Sequence, residues 1–356
     1  MSTKRNISDL VRPNIRDLKP YSSARDEFRG DATVFLDANE NPYPSPFNRY
    51  PDPLQLSLKA RISAIKKVPV PQIFLGNGSD EAIDLIIRAF CEPGRDAILI
   101  PEPTYGMYAV CAGVNDVQVK HALLTSTYDL DITAIQEAID DSTKVVFLCS
   151  PNNPSGNLLS KEAIISLIEE FAGLVVIDEA YIDFAGSTGF STFLDTYPNL
   201  VVLQTFSKAW GLAGLRLGMC FASEFIISIL NKIKYPYNIS SQTQQLALKA
   251  LENEEQKNKW VEEILREREK LTAALNDLEA VGIVHPSDSN FVLVKVNDAP
   301  QLYRDLMLVG TIVRDRSRVV LCENSLRITV GTPEENALLI SQIVDFYQKR
   351  NGGSRQ

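Results

Sequence analysis

Residues 205–218 read TFSKAWGLAGLRLG, with Lys208 set between a hydroxyl pair and a run of small residues, and Arg216 eight positions on. A lysine on a solvated surface needs no glycines near it. Small residues here would let the main chain turn close to a bound group, so the stretch reads as a loop built around something. Just before it, LVVL (200–203) is a continuous apolar run.

The same arrangement recurs upstream. PQIFLGNG (71–78) leads into SDEAIDLIIRAF (79–90), and DAILIPEP (96–103) into TYGMYAVCAGV (104–114). KVVFLCSPNNPSG (144–156) precedes KEAIISLIEEF (161–171), and GLVVIDEAY (173–181) follows. Short apolar runs alternating with helix-period segments predict strands covered on both faces, in an α/β fold with a mainly parallel sheet. In such sheets ligands sit beyond the carboxyl ends of the strands. GNGSDE, PEPTYG, SPNNPSG, DEAY and TFSK each follow an apolar strand, so the five endings converge on one edge.

Composition narrows the partners. Lys plus Arg number 36 against 45 Asp plus Glu, a net charge of −9, which argues against nucleic acid, whose phosphates demand a basic surface. Five cysteines without a C-x-x-C pair predict reduced thiols in a cytoplasmic protein. The two histidines, His121 and His285, lack metal-ligand spacing, so no metal site is expected. No apolar run approaches the roughly 18 residues that span a bilayer, and the N-terminal residues lack a signal-peptide core.

Two motifs carry chemistry. GNGSDE (76–81) reads by itself as a plain strand-to-helix turn, or as one in which Ser79 or Asp80 caps a helix whose first N–H groups point at an anion; Glu81 stands where a dinucleotide fingerprint needs glycine. LVVIDEAY (174–181) resembles the acidic strand of a nucleotide hydrolase, but no glycine–lysine pair exists for the matching phosphate loop. Asp178 at a buried strand end then needs another cation. A pyridinium nitrogen would serve: at about 4 Å and an effective dielectric of about 20 the pair is worth about 4 kcal/mol. Lys208 could then form a Schiff base with an aldehyde on that ring, which becomes an electron sink. Thr205, Ser207 and Arg216 would donate to its phosphate.

S-K-x-x-G-L-A-G-x-R-x-G, preceded by D-E-A-Y and S-P-N-N-P-S-G, resembles the fold-type I aminotransferases that use pyridoxal 5′-phosphate. The resemblance implies a seven-stranded mainly parallel sheet between helices and a smaller α+β domain. By it Lys208 holds the cofactor covalently, Asp178 partners the ring nitrogen, and Asn153 and Tyr181 donate to the ring hydroxyl. Tyr105 stacks on the ring, while Ser79, Asp80, Thr205, Ser207 and Arg216 hold the phosphate. Tyr50 reaches the phosphate of a neighbouring subunit's cofactor, which implies a homodimer. The family often has threonine at Ser155 and a smaller residue at Trp210.

LKPYSSARDE (18–27), LDANENPYPSP (36–46), NRYPD (48–52), SDSNFVLVK (287–295) and SLRITVG (325–331) are similar to the histidinol-phosphate aminotransferase subfamily. That subfamily exchanges an amino group between glutamate and imidazole-acetol phosphate in histidine biosynthesis. By the resemblance Arg327 binds the substrate anion, Arg314 adds a phosphate contact, and Tyr21 lies against the imidazole. Aromatic amino acid transamination and decarboxylation of threonine phosphate stay open, as does a non-catalytic binding module of the same fold. The expected organisation is a strap over 1–45 packing with the smaller domain, a large cofactor-binding domain over 46–245, and a small domain over 246–356. NKWVEEILREREKLTAALNDL (258–278) reads as a charged amphipathic helix bridging the two, and NGGSRQ (351–356) as a frayed tail.

Overall fold

A computed structural model describes residues 6–21 and 33–353. Seven strands form the main sheet: β1 (Ile73–Asn77), β2 (Ala97–Glu102), β3 (Gln118–Leu123), β4 (Thr143–Cys149), β5 (Leu174–Asp178), β6 (Leu200–Thr205) and β7 (Leu217–Ala222). Their order is β1-β7-β6-β5-β4-β2-β3, parallel throughout except that β7 runs against both its neighbours. The central strands are buried on both sides because alternate residues serve different cores. Val175 and Ile177 of β5 join one apolar cluster, Leu174 and Val176 the other.

β3 and β7 lack the signals that betray their neighbours. β3 is an edge strand, mostly solvent-facing along QVKHAL. β7 is apolar, but it begins inside the glycine-rich motif and reads as part of it. Helices cover both faces, and Ser160 and Ser223 cap two of them by accepting from Ala163 and Ile226 N–H groups.

A second sheet is wholly antiparallel, in the order β10-β11-β9-β8: β8 (Val281–Val284), β9 (Phe291–Val296), β10 (Arg314–Asp315) and β11 (Ser325–Thr329). Val292, Val294, Leu326 and Ile328 pack on one side against Leu302, Leu306, Leu339 and Ile343. The helix Glu254–Asn276, about 35 Å long at 1.5 Å per residue, joins the two regions. Val261 packs near Tyr181 beside the main sheet, and Leu271 and Leu275 enter the small core.

The N-terminal strap differs from expectation. Residues 7–10 and 13–16 form one-turn helices, and Leu10 and Val11 are buried with Ile86 and Ile226 on the main sheet's helices. The Arg12 N–H donates to the Ala89 carbonyl at 2.9 Å, and Lys232 Nζ to those of Ile15 and Arg16. Residues 6–21 thus pack with the large sheet, not the small one. The apolar pair Leu10–Val11 was too short to read as a core contribution. Residues 22–32, part of that strap, lie outside the described residues. At the other end Pro333–Gly353 is one helix, so 351–353 extend it instead of fraying; 354–356 lie outside the described residues. All five cysteines are buried free thiols. Among the described residues no helix is long and apolar enough to cross a membrane.

Candidate active site

The strand ends meet as the alternation predicts. β6 delivers Thr205, and the chain loops through Lys208 before returning as β7. Gly211 takes φ +66° and Arg216 φ 52°, both left-handed, the latter a conformation unusual for a branched-out side chain. Gly218 is needed for a different reason: a Cβ there would stand 2.3 Å from the Gly78 carbonyl carbon and the Ser79 nitrogen. The β7 backbone therefore lies directly against the first turn of the helix Gly78–Phe90. Gly214 faces open space, so no steric demand explains it. Both tryptophans of the chain flank this loop. Trp210 packs on Phe206 under the Lys257 ammonium, and the Trp260 ring lies 3.9 Å from the Cβ position of Gly211.

At the helix start, Gly78 adopts φ +72° and donates its N–H to the Arg216 carbonyl at 2.9 Å. The Arg216 guanidinium lies over this turn, 3.5 Å from Asp80. The Tyr105 hydroxyl donates to the other Asp80 oxygen at 3.1 Å. Free N–H groups, the helix dipole and Arg216 together make an anion cradle. Asp80 can serve an anion only through its N–H, since its carboxylate already accepts from Tyr105 and faces Arg216.

Asp178 ends β5 at 2% exposure. Its carboxylate accepts from the Tyr108 hydroxyl at 2.8 Å and the Ala180 N–H at 3.1 Å. Burial lifts its pKa to about 6 despite those donors. No cation among the described residues forms an ion pair with it. Lys208, 5.5 Å above the Tyr181 ring, likewise has no carboxylate within ion-pair distance. It is open to the cavity, yet the surrounding walls and Arg327 lower its pKa. Glu179, next to Asp178, is pushed up to about 7 by burial and holds the loop at Phe190 and the Gln204 amide.

The small sheet completes the site. Gly156 accepts from Asp288 N–H and Ser289 Oγ, tying the loop after β4 to the segment before β9. Arg327 on β11 then reaches in, donating Nη1 to Asn153 Oδ1 at 2.6 Å and stacking its guanidinium over Phe291.

Ser79, Asp80, Tyr105, Asn153, Asp178, Tyr181, Thr205, Ser207, Lys208 and Arg216 line one cavity of about 160 Å³. Arg327 meets this lining through Asn153, and three other residues named from the sequence lie apart from it. Tyr50 is half exposed and stacks on Tyr237 at 4.4 Å; Tyr21 is 71% exposed in a groove with Leu18 and Tyr235; Arg314 is exposed opposite Arg327. Tyr108 and Arg316 escaped the sequence reading. Tyr108 lies in the helix Met107–Val114, and its ring meets that of Tyr105, just before the helix, edge-on at 5.5 Å.

Comparison with known proteins follows the same outline. The model of the aminotransferase class I and II family matches residues 33–343. The histidinol-phosphate aminotransferase of Parabacteroides distasonis is 55% identical over 95% of this chain and 98% of its own. The chain belongs to the class I and II aminotransferases. Among solved structures, the histidinol-phosphate aminotransferase of Clostridium acetobutylicum superposes with a TM-score of 0.77 at 26% identity, covering 83% of this aminotransferase and 90% of that chain. L-threonine-O-3-phosphate decarboxylase from Porphyromonas gingivalis superposes with a TM-score of 0.73 at 26% identity, over 84% and 91% of the two chains.

Proposed function

We propose that this aminotransferase is a histidinol-phosphate transaminase, moving an amino group between L-glutamate and imidazole-acetol phosphate in histidine biosynthesis with pyridoxal 5′-phosphate as cofactor. One observation carries the reading: a buried carboxylate without a cation and an amine without an acid share one cavity, below an anion cradle. Asp178 has the charge that a pyridinium N–H would satisfy, and Lys208 the amine for an aldehyde. The N–H groups at Ser79 and Asp80, with Thr205, Ser207 and Arg216, suit a phosphate, so the donor set fits the cofactor.

Bound pyridoxal phosphate supplies a conjugated ring that accepts the electron pair left when the substrate Cα–H bond breaks. The residues do the rest. Asp178 would keep the ring nitrogen protonated, and Tyr105 and Tyr181 would confine the ring. Asn153 orients Arg327 through its hydrogen bond and would also orient the ring hydroxyl. Lys208 Nζ, its pKa lowered, would take the proton from the substrate Cα as a general base and return it to the cofactor's aldehyde-derived carbon, on the far side of the transferred nitrogen. Arg327 holds the substrate anion, carboxylate or phosphate, through its planar fork.

The near-full-length 55% identity to a histidinol-phosphate aminotransferase favours that substrate over threonine phosphate or aromatic amino acids. Half-reactions of the purified holoenzyme with histidinol phosphate, phenylalanine and threonine phosphate, followed by cofactor absorbance, test the choice. Fastest conversion of phenylalanine, or release of carbon dioxide from threonine phosphate, would overturn it.

The working unit on this reading is a homodimer. Tyr50 stands outside its own cavity, and Leu36, Tyr43 and Phe47, from the same stretch of chain, are exposed as well, an arrangement from which it can serve a second copy. The two sheets support a division into a large domain over 46–245 and a small one over 246–356, and the free thiols support a cytoplasmic setting.

A further inference from the structure

Strand register in the small sheet gathers three arginines on one face. Directly opposite residues of an antiparallel pair project to the same side, as do residues two apart along a strand. Arg314 lies opposite Arg327. Arg316 continues the pairing past β10, its N–H donating to the Ser325 carbonyl at 2.9 Å, and so shares the side of Arg314. Leu293, opposite Arg327, and Phe291, two residues before it, occupy that side too. Leu293 packs with the main sheet's core and Phe291 with Tyr181, so this side faces the cavity, while Leu326 and Val292 fill the small core behind.

No carboxylate among the described residues forms an ion pair with any of the three, and of their side chains only that of Arg327 makes a hydrogen bond to a described residue, Asn153. Arg316 is the most exacting case. Its Nε is buried with no hydrogen-bond partner, and burial together with Arg327 and Arg314 lowers its pKa. A buried N–H beside two like charges is unfavourable until an anion arrives.

We propose that Arg316 is a specificity-determining residue that donates to the substrate phosphate beside Arg327, adding the cation that a dianion needs and a carboxylate does not. The proposal rests on the reading of the site as one for a phosphate-bearing amine. It assigns a discriminating role to a residue two positions beyond Arg314, inside VRDRSRV (313–319), where the sequence shows only another basic residue in a loop.

The test compares unmodified, Arg316→Gln and Arg316→Lys holoenzymes in single-turnover half-reactions with histidinol phosphate, histidinol and glutamate. For Arg316→Gln, kcat/KM with histidinol phosphate should fall about 10- to 100-fold, chiefly through KM. Histidinol and glutamate should change little, and Arg316→Lys should recover part of the loss. An equal loss on all three substrates, or an unchanged ratio of histidinol phosphate to glutamate, overturns the proposal. If the glutamine variant does not accumulate folded, Arg316→Lys decides alone: it keeps the charge but lacks the Nε–H, so its ratio must still fall. Failure of the underlying reading has a different sign, seen without any variant: an unmodified enzyme that does not prefer histidinol phosphate to histidinol.

Discussion

Arg327 Nη1 donates to Asn153 Oδ1 at 2.6 Å across 174 residues of chain, and so fastens the small sheet to the loop after β4 at the mouth of the cavity. On the proposed reading one fork serves two tasks, with Arg327 meeting the substrate anion while it steadies Asn153. Lysine offers a point charge without the fork. Arg327→Lys should weaken both half-reactions by about 2–5 kcal/mol in kcat/KM. Single-turnover rates with glutamate and histidinol phosphate measure this, and full activity with either would show that the fork is dispensable for that substrate.

Lys208 should be the residue that carries the cofactor covalently. Borohydride treatment of the holoenzyme followed by tryptic mapping should label Lys208 and no other lysine. Lys208→Ala should still retain cofactor through the cradle while losing at least about 10²–10⁴-fold in turnover, the range for a positioned proton carrier. Label on a different lysine rejects the assignment.

On the proposed reading Asp178 should set a pH limit on cofactor binding. With its pKa raised to about 6, it is ionised above that value and protonated below, and a protonated carboxyl cannot hold a pyridinium N–H. Cofactor affinity of the apoprotein should therefore fall as pH drops through about 6. The cofactor phosphate titrates near pH 6 as well, so Asp178→Asn is the necessary control: it should bind more weakly at pH 8 and show a shallower slope. Identical slopes would assign the whole effect to the phosphate.

Tyr108 acts through Asp178. Its hydroxyl favours the ionised carboxylate by a hydrogen bond that, to a charged group, is worth about 1.5–3 kcal/mol. Tyr108→Phe keeps the stacking on Phe147 and should move the midpoint of that pH dependence upward by about one unit or more. An unmoved midpoint with lowered activity would mark Tyr108 as a packing residue only.

Tyr50 and Lys208 should complement between subunits. Lys208→Ala chains mixed with Tyr50→Phe chains form hybrid dimers in which one cavity keeps both native residues, so activity should exceed that of either variant alone. Sedimentation of the unmodified protein as a monomer at working concentration would end the shared-site arrangement.

The residues around Lys208 were legible because their spacing is local: strand, polar ending, helix, each within a dozen positions. Asp178 could be singled out by the cost of burying an unpaired charge. What escaped was set by tertiary pairing. Arg316 is one of many basic residues until the pairing of its segment with β11 sets it near Arg314 and Arg327, and Tyr108 looks like a core aromatic until its hydroxyl meets Asp178. The strap was misplaced for a similar reason, since Leu10 and Val11 carry too little apolar pattern to say which surface they cover. Edge strand β3, mostly solvent-facing, gives no continuous apolar run to read.

Both tryptophans flank the loop that bears Lys208, and the chain has no others. Intrinsic indole emission therefore comes wholly from the neighbourhood of the cavity. A bound pyridoxal ring absorbs where indole emits, so the protein carries its own energy-transfer reporter. Occupancy, exchange between the amine and aldehyde forms, and shifts of the helix that bears Trp260 can be followed without an added label, while unfolding elsewhere stays silent in this channel.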